Sequence, residues 1–405
     1  MKPYRLCCGV FLVTVASIMS SCAQSKVQLG ADVLIEKHLD LLAGKRVGLI
    51  TNHTGRLSDG RLLKDVLLEK RVEVVALFAP EHGLLGKTGA GEEVGDDRDS
   101  AGIPVYSLYG STKKPTVEML HSIDLLIYDI QDVGVRFYTY ISTMGLAMEA
   151  AAEQRIPFVV LDRPNPLGGL RVEGPLMEDS LKSFLGLYPI PVVYGLTCGE
   201  LALMIVGEGW LGSSVKPEVI VIAMEGWKRK MAWGETGLAW IPPSPNIPDA
   251  ATALCYPATC YIEATNLSEG RGTGEPFRLI GAPFIDGESL AKSLESLAIP
   301  GVTFEASTFT PVSSKHKGSL CGGVRMRITN PASYQAVDTG LKLLQEIRRI
   351  YPDDVLVESS FLLRLLGSGS VVHSLLETSD QADTGATLGD LEVFREKSLA
   401  YLLYP

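Results

Sequence analysis

From about Lys45 onward the chain alternates between short apolar runs and amphipathic stretches. Arg46 to Thr51, Val72 to Phe78, Asp124 to Ile130, Phe158 to Leu161 and Val219 to Ala223 each read as a buried strand. Between them, Asp59 to Lys70 carries Leu62, Leu63, Val66 and Leu67 at helical spacing, and Tyr138 to Gln154 has one apolar helical face. Thr197 predicts a helix start, with Glu200 three residues on as its capping-box partner. Continuous apolar strands separated by helices specify a parallel sheet covered on both faces, joined by right-handed crossovers. The expected fold class is therefore α/β, with a Rossmann-like parallel-sheet domain. Near Trp240 the texture changes: Ile241-Pro-Pro-Ser-Pro-Asn-Ile-Pro248 continues neither a helix nor a central strand. The boundary is placed just after it, giving a first domain over residues 27–252. A smaller α+β domain follows over 253–405, with short strands at Cys255 to Glu263 and Gly322 to Ile328. Its helices are expected at Glu288 to Leu297 and Tyr334 to Ile350, and it ends in an apolar Tyr401-Leu-Leu-Tyr404 able to dock.

A length of 405 residues supports this two-domain division. The net charge of −10 argues against a nucleic-acid partner, because phosphate binding needs a basic face. The one basic cluster, Lys228-Arg229-Lys230, reads as a solvated turn. Residues 1–22 form a targeting segment. Lys2 and Arg5 precede an apolar run from Val10 to Ile18 that is too short to be a permanent membrane span, and Met19-Ser-Ser-Cys22 follows. Small residues directly before a cysteine resemble a bacterial lipoprotein signal, with Cys22 the lipidated first residue of an exported protein anchored in the envelope and facing the periplasm; ordinary signal cleavage nearby is the other reading. Cys198, Cys255, Cys260 and Cys321 match no zinc spacing and read as small buried hydrophobes.

Each of the first four expected strands ends in a polar cluster. These are Asn52-His53-Thr54; Glu81-His82-Gly83; Asp129 with Gln131, Asp132, Gly134 and Arg136; and Asp162-Arg163 with Asn165, followed by Glu173-Gly174-Pro175. In an open parallel sheet, ligands bind in the crevice beyond the carboxyl ends of the strands. Glu81 is the sharpest candidate. An apolar strand end delivers it to the crevice, where desolvation favours a protonated carboxyl able to protonate a glycosidic oxygen; the competing role is a carboxylate paired with His82 or an arginine to hold the loop. A glycosidase also needs a second carboxylate or an activated water. Asp129, Asp162, Glu173 and Glu269 are all candidates, and spacing alone does not rank them. Asn266 to Thr273 opens the second domain, and two glycines around Arg271 let that loop turn sharply and present a guanidinium able to clamp a carboxylate. Two motifs fail. Gly86-Lys87-Thr88 lacks the earlier glycine of a phosphate loop, where Glu81 stands, and Gly89-Ala-Gly91 lacks the third glycine of dinucleotide spacing, so no nucleotide is expected. The histidines fall at no zincin spacing, so no metal is expected, and no Gly-x-Ser-x-Gly elbow occurs.

Several of these segments together resemble one family. Ala79-Pro-Glu-His-Gly83, Tyr128 to Tyr140, Leu161-Asp-Arg-Pro-Asn-Pro166, Val172-Glu-Gly-Pro175 and Thr265 to Thr273 are similar to the exo-β-N-acetylmuramidases of the NamZ type, long catalogued as a domain of unknown function. The resemblance runs from about Lys45 to the end, departing where Ala264 replaces an expected glycine. It implies a Rossmann-like catalytic domain with a smaller C-terminal domain. It also implies release of N-acetylmuramic acid from the non-reducing end of peptidoglycan fragments without a cofactor, and Glu81 as catalytic acid. That sugar carries an anionic lactyl ether, and Arg136, Arg163 and Arg271 are the cations available to meet it. Tyr138, Tyr140 and Trp240 are either sugar-packing rings or core. The alternatives are a non-catalytic lipoprotein that captures muropeptides and a hydrolase acting on another bond, such as an ester.

Overall fold

The alternation of side chains along the central strands decides the layering. In a computed structural model describing residues 27–89, 91–92, 97–377 and 388–405, Leu125 and Ile127 pack with Leu34, Leu63 and Leu67 on one face of a sheet. Their neighbours Leu126 and Tyr128 pack with Met144, Met148 and Leu201 on the other. The helices Gly30–Lys37 and Leu63–Glu69 supply the first layer, and Tyr140–Gln154 and Cys198–Gly207 the second. The signal segment with Cys22 lies outside the described residues.

The sheet contains β1 (Arg46–Thr51), β2 (Glu73–Ala79), β3 (Asp97–Arg98), β4 (Pro104–Ser107), β5 (Leu125–Asp129), β6 (Phe158–Leu161) and β7 (Val219–Ile222), in the order β3-β4-β2-β1-β5-β6-β7. All pairs are parallel except β3 with β4. The five strands expected from hydrophobic runs are present. The short strands β3 and β4 were not legible. Chain direction reverses across the sheet between β1 and β5, which makes their carboxyl ends a topological switch point. Thr51 pairs in register with Asp129 there. The expected capping box forms: the Thr197 side chain accepts from the Glu200 N–H, and the Glu200 carboxylate accepts from the Thr197 N–H.

A second, antiparallel sheet follows, in the order β8-β10-β9, from β8 (Leu279–Ala282), β9 (Val302–Phe309) and β10 (Cys321–Ile328). Helices Gly287–Ser296 and Ala336–Ile350 lie where periodicity placed them. One apolar cluster runs from Ile50 and Tyr128 through Tyr256 to Val324, Leu341 and Leu344, so the two sheets share a continuous core.

Two local expectations are corrected. Cys255 to Glu263 is not a strand; it is helix Ala250–Thr259 followed by a 3-10 turn, Cys260–Ala264. The Asp249 side chain caps that helix, accepting the Thr252 N–H at 2.7 Å, and the alanine-rich first turn outweighs the β-propensity of the residues after it. Nor is Lys228-Arg229-Lys230 a solvated turn throughout: Arg229 is buried and donates to Glu200 at 2.6 Å. The four cysteines are free and buried, as expected. The terminal Tyr404 docks on Trp227 and donates to Asp162 Oδ2 at 2.5 Å.

Candidate active site

Parallel strands of similar length bring Asn52, Glu81, Gln131 and Asp162 to one edge of the sheet, but their side chains go to different places. Glu81, directly beyond β2, is half-buried. Its Oε2 accepts the Thr139 hydroxyl at 2.6 Å and its Oε1 the Gly91 N–H at 3.1 Å. The Tyr109 phenol, beyond β4, lies beside the same carboxylate; burial and then the Glu81 charge raise its pKa above the ordinary tyrosine range. Tyr140 anchors the local backbone, its hydroxyl donating to the Pro243 carbonyl at 2.7 Å and accepting from Asn52 Nδ2 at 3.1 Å.

The Glu81 carboxylate borders a cavity of about 90 Å³ at the junction of the two sheets. Tyr109, Phe137, Tyr138, Tyr256, Phe277 and Phe361 are among the residues that line it. Glu263 and Arg271 face it from the C-terminal side, and His82 and Thr139 from the sheet side. Cavities that hold drug-sized ligands measure about 300–1,000 Å³, so a sugar ring enters only if the rim parts. The turn that carries Arg271 depends on Gly270 and Gly272, at φ +80° and +77°. A Cβ on Gly270 would lie 2.8 Å from the Leu279 carbonyl oxygen.

His82 stands on the wall between this cavity and a larger one of about 620 Å³, which Asn52, Lys87 and Arg98 also line. His82 adopts φ +72°. Its Nδ1 donates to the Thr88 carbonyl at 2.8 Å, since that oxygen can only accept, leaving Nε2 as the unprotonated nitrogen. Burial lowers its pKa from the ordinary histidine range, so the ring is neutral near pH 7.

The remaining sequence candidates are held elsewhere. Asp129 is fully buried and accepts from Arg163 Nε at 2.7 Å; burial raises its pKa against the pull of Arg163. Arg163 also donates to the Arg56 carbonyl, and with Gln131 it borders only a crevice of about 50 Å³. Arg136 is fully buried and spends its guanidinium on four backbone carbonyls, so it offers nothing to an anionic sugar. Asp162 accepts from Thr197, Gly199, Arg163 and Tyr404. Asn165 packs under Gly134 and donates to the Leu196 carbonyl. Glu173 faces the Val337 N–H at 3.1 Å, and burial raises its pKa. Asn266 is tied to the backbone of Asp354 and Leu356. Glu269 is buried behind Arg271, between it and Lys315. Tyr140 is core, and Trp240 packs on Trp233.

Of the proposed residues, then, Glu81, His82, Tyr138 and Arg271 converge on one cavity. Arg271 is already paired with two of the protein's own carboxylates, Glu263 at 2.6 Å and Glu269 at 3.1 Å. Sequence reasoning missed Glu263, Tyr109 and Thr139. The signal for Glu263 was charge: it and Glu269 both precede Arg271, the one cation of that loop.

Residues 47–251 match the family described as exo-beta-N-acetylmuramidase NamZ, N-terminal, and residues 254–404 match its C-terminal counterpart. The chain is 47% identical over 383 residues to the peptidoglycan beta-N-acetylmuramidase NamZ of Bacillus subtilis (strain 168), covering 94% of this chain and 92% of that protein. Two crystal structures of DUF1343 family proteins from Bacteroides fragilis share the fold. One superposes with a TM-score of 0.88 at 41% identity and the other with 0.77 at 34%, each spanning 94% of this chain and 99% of the other.

Proposed function

Since this chain belongs to the NamZ family of exo-β-N-acetylmuramidases, and is therefore a glycosidase, we propose that it releases N-acetylmuramic acid from the non-reducing end of peptidoglycan fragments, with Glu81 as the general acid. The observation that carries this role is that Glu81 presents its carboxylate to a cavity beyond the carboxyl ends of β2, β4 and β5, with aromatic rings on its wall. The Thr139 hydroxyl, 2.6 Å from Oε2, fixes the orientation of the carboxyl. Aromatic rings offer flat apolar faces to a pyranose while Glu81 delivers its proton to the glycosidic oxygen. Among the described residues Arg271 is the only arginine on this cavity wall, where Glu263 and Glu269 hold it, and Arg136 and Arg163 are committed to buried partners.

Glu81→Gln keeps the size and the Thr139 contact but removes the proton. The expected result is a folded protein whose release of N-acetylmuramic acid from a muropeptide disaccharide falls about 10²–10⁴-fold. Full turnover in that variant would refute the assignment. Saturable binding of an unaltered muropeptide by the native protein would instead favour a capture protein. We also propose lipidation at Cys22, which would hold the enzyme on the periplasmic side of the envelope; Cys22→Ser is expected to move the protein from membrane to soluble fractions, and unchanged fractionation refutes it.

A further inference from the structure

Glycoside hydrolysis by paired carboxylates needs one group to protonate the leaving oxygen and another on the opposite side of the sugar. The candidates for the second role separate by position. Asp129 and Asp162 are enclosed by protein donors, Glu173 borders a separate cavity of about 700 Å³ that Glu81 does not line, and Glu269 is buried behind Arg271. Among the described residues, Glu263 is the only carboxylate besides Glu81 on the cavity wall. It sits on the 3-10 turn Cys260–Ala264, so it faces Glu81's cavity from the C-terminal half of the molecule while Glu81 enters from the sheet.

We propose that Glu263 is the second catalytic carboxylate, the base that takes a proton from the water attacking the anomeric carbon. This rests on the glycosidase reading of Glu81 above. The water oxygen bonds to the anomeric carbon as the bond from that carbon to the leaving oxygen breaks. The electron pair stays on the leaving oxygen, which takes the Glu81 proton. The proton of the water passes to Glu263, and the two carboxyls restore their starting states through solvent. One water is consumed, and the β-linked sugar is released as its α-anomer.

The surroundings of Glu263 fit a group that must carry charge in a closed space. Its Oε1 accepts from Arg271 Nη2 at 2.6 Å. Lys315 Nζ lies behind it, 3.0 Å from the Glu263 carbonyl oxygen and 3.3 Å from Glu269 Oε2. Burial raises the Glu263 pKa, and Arg271 draws it back. Arg271 therefore positions the base and offsets its desolvation, rather than standing free as a clamp for the substrate.

The test compares Glu263→Ala, Glu263→Gln and Glu81→Ala in the full chain, on 4-nitrophenyl β-N-acetylmuramide and on a muropeptide disaccharide. Glu263→Ala is expected to lower kcat about 10²–10⁴-fold on both substrates with KM within a few-fold. Sodium azide should restore turnover and yield the α-glycosyl azide. Glu81→Ala should spare the nitrophenyl substrate, whose leaving group needs no proton, relative to the disaccharide. The native enzyme should release the α-anomer first by NMR. A loss confined to KM, a kcat loss that azide leaves untouched in a folded protein, or the β-anomer as first product would overturn the assignment. Should Glu263→Ala fail to fold, Glu263→Gln keeps the Arg271 hydrogen bond and must itself lose kcat; near-native kcat there overturns the proposal. Undiminished activity in both Glu81 variants would refute the acid role, whatever Glu263 does.

Discussion

Arg136 is the joint between the two halves, and its removal should unfold the molecule before it disturbs any chemistry. The guanidinium is fully buried with no carboxylate against it. Nη1 donates to the carbonyls of Pro175 and Ile190, both at 2.7 Å, and Nη2 to those of Leu365 and Leu366 at 3.1 and 2.6 Å. The last two are terminal carbonyls of helix Ser359–Leu366, where a cation is also favoured by the helix dipole. Burial lowers the Arg136 pKa to about 10, which leaves it charged at pH 7. In Arg136→Met the apolar stem is replaced but four carbonyls lose their donor. Each hydrogen bond to a charged group contributes about 1.5–3 kcal/mol, though a shared donor makes them far from additive. Leaving a buried carbonyl without its donor costs about 1–3 kcal/mol, so the whole set, counted well short of additively, should cost about 3–5 kcal/mol. Against a total stability of about 5–15 kcal/mol this is a large fraction. With a urea slope of about 3 kcal/mol/M, the midpoint should fall by about 1–1.7 M. Arg136→Lys should recover less than half, because an ammonium cannot address two pairs of carbonyls with a planar fork. Urea melts followed by circular dichroism measure both. A loss under about 1 kcal/mol for methionine, or lysine equal to arginine, would refute the idea that this fork ties the halves together.

Two further outcomes follow from the same physics. Gly270→Ala should cost more than about 2 kcal/mol, combining an alanine in the left-handed region with a Cβ 2.8 Å from a carbonyl oxygen, and should lower kcat/KM by displacing Arg271; Gly274→Ala, with open space around it, is the control, and equal behaviour of the two would sink the argument. Burial pushes the Asp132 carboxyl up to about 6. Because the folded pKa exceeds the unfolded value of about 3.9, the native state takes up a proton that the unfolded chain does not. The penalty from this group is full above pH 6 and is relieved as pH falls from 6 towards 4. Denaturation at pH 7.5 and pH 5 should therefore show the native protein gaining on Asp132→Asn at the lower pH, and the opposite trend would contradict the burial of that charge.

Much of the architecture was readable along the chain because it depends on local pattern. Val47 and Leu49, two apart, lie on one face of β1 and Ile50 on the other, and the run of apolar residues on both faces is what a covered parallel strand requires. The turn glycines beside Arg271 were readable for the same reason, since the left-handed region favours glycine. The short strands β3 and β4 were not, being two and four residues long. The error over Cys255 to Glu263 came from weighing the β-propensity of that run above the cap at Asp249.

The sequence alone determined the covered parallel sheet, the edge at which polar residues gather, and Glu81 as a carboxylate delivered to that edge. Tertiary structure alone decided which of those polar side chains face open space. Asp129, Asp162 and Arg136 sit in the same stretches as the cavity residues, yet their partners come from positions up to 242 residues away. Only folding brings such partners into hydrogen-bonding range, and a buried charge must find them. For the same reason, only the folded chain could bring Glu263 to the wall of the cavity that Glu81 borders.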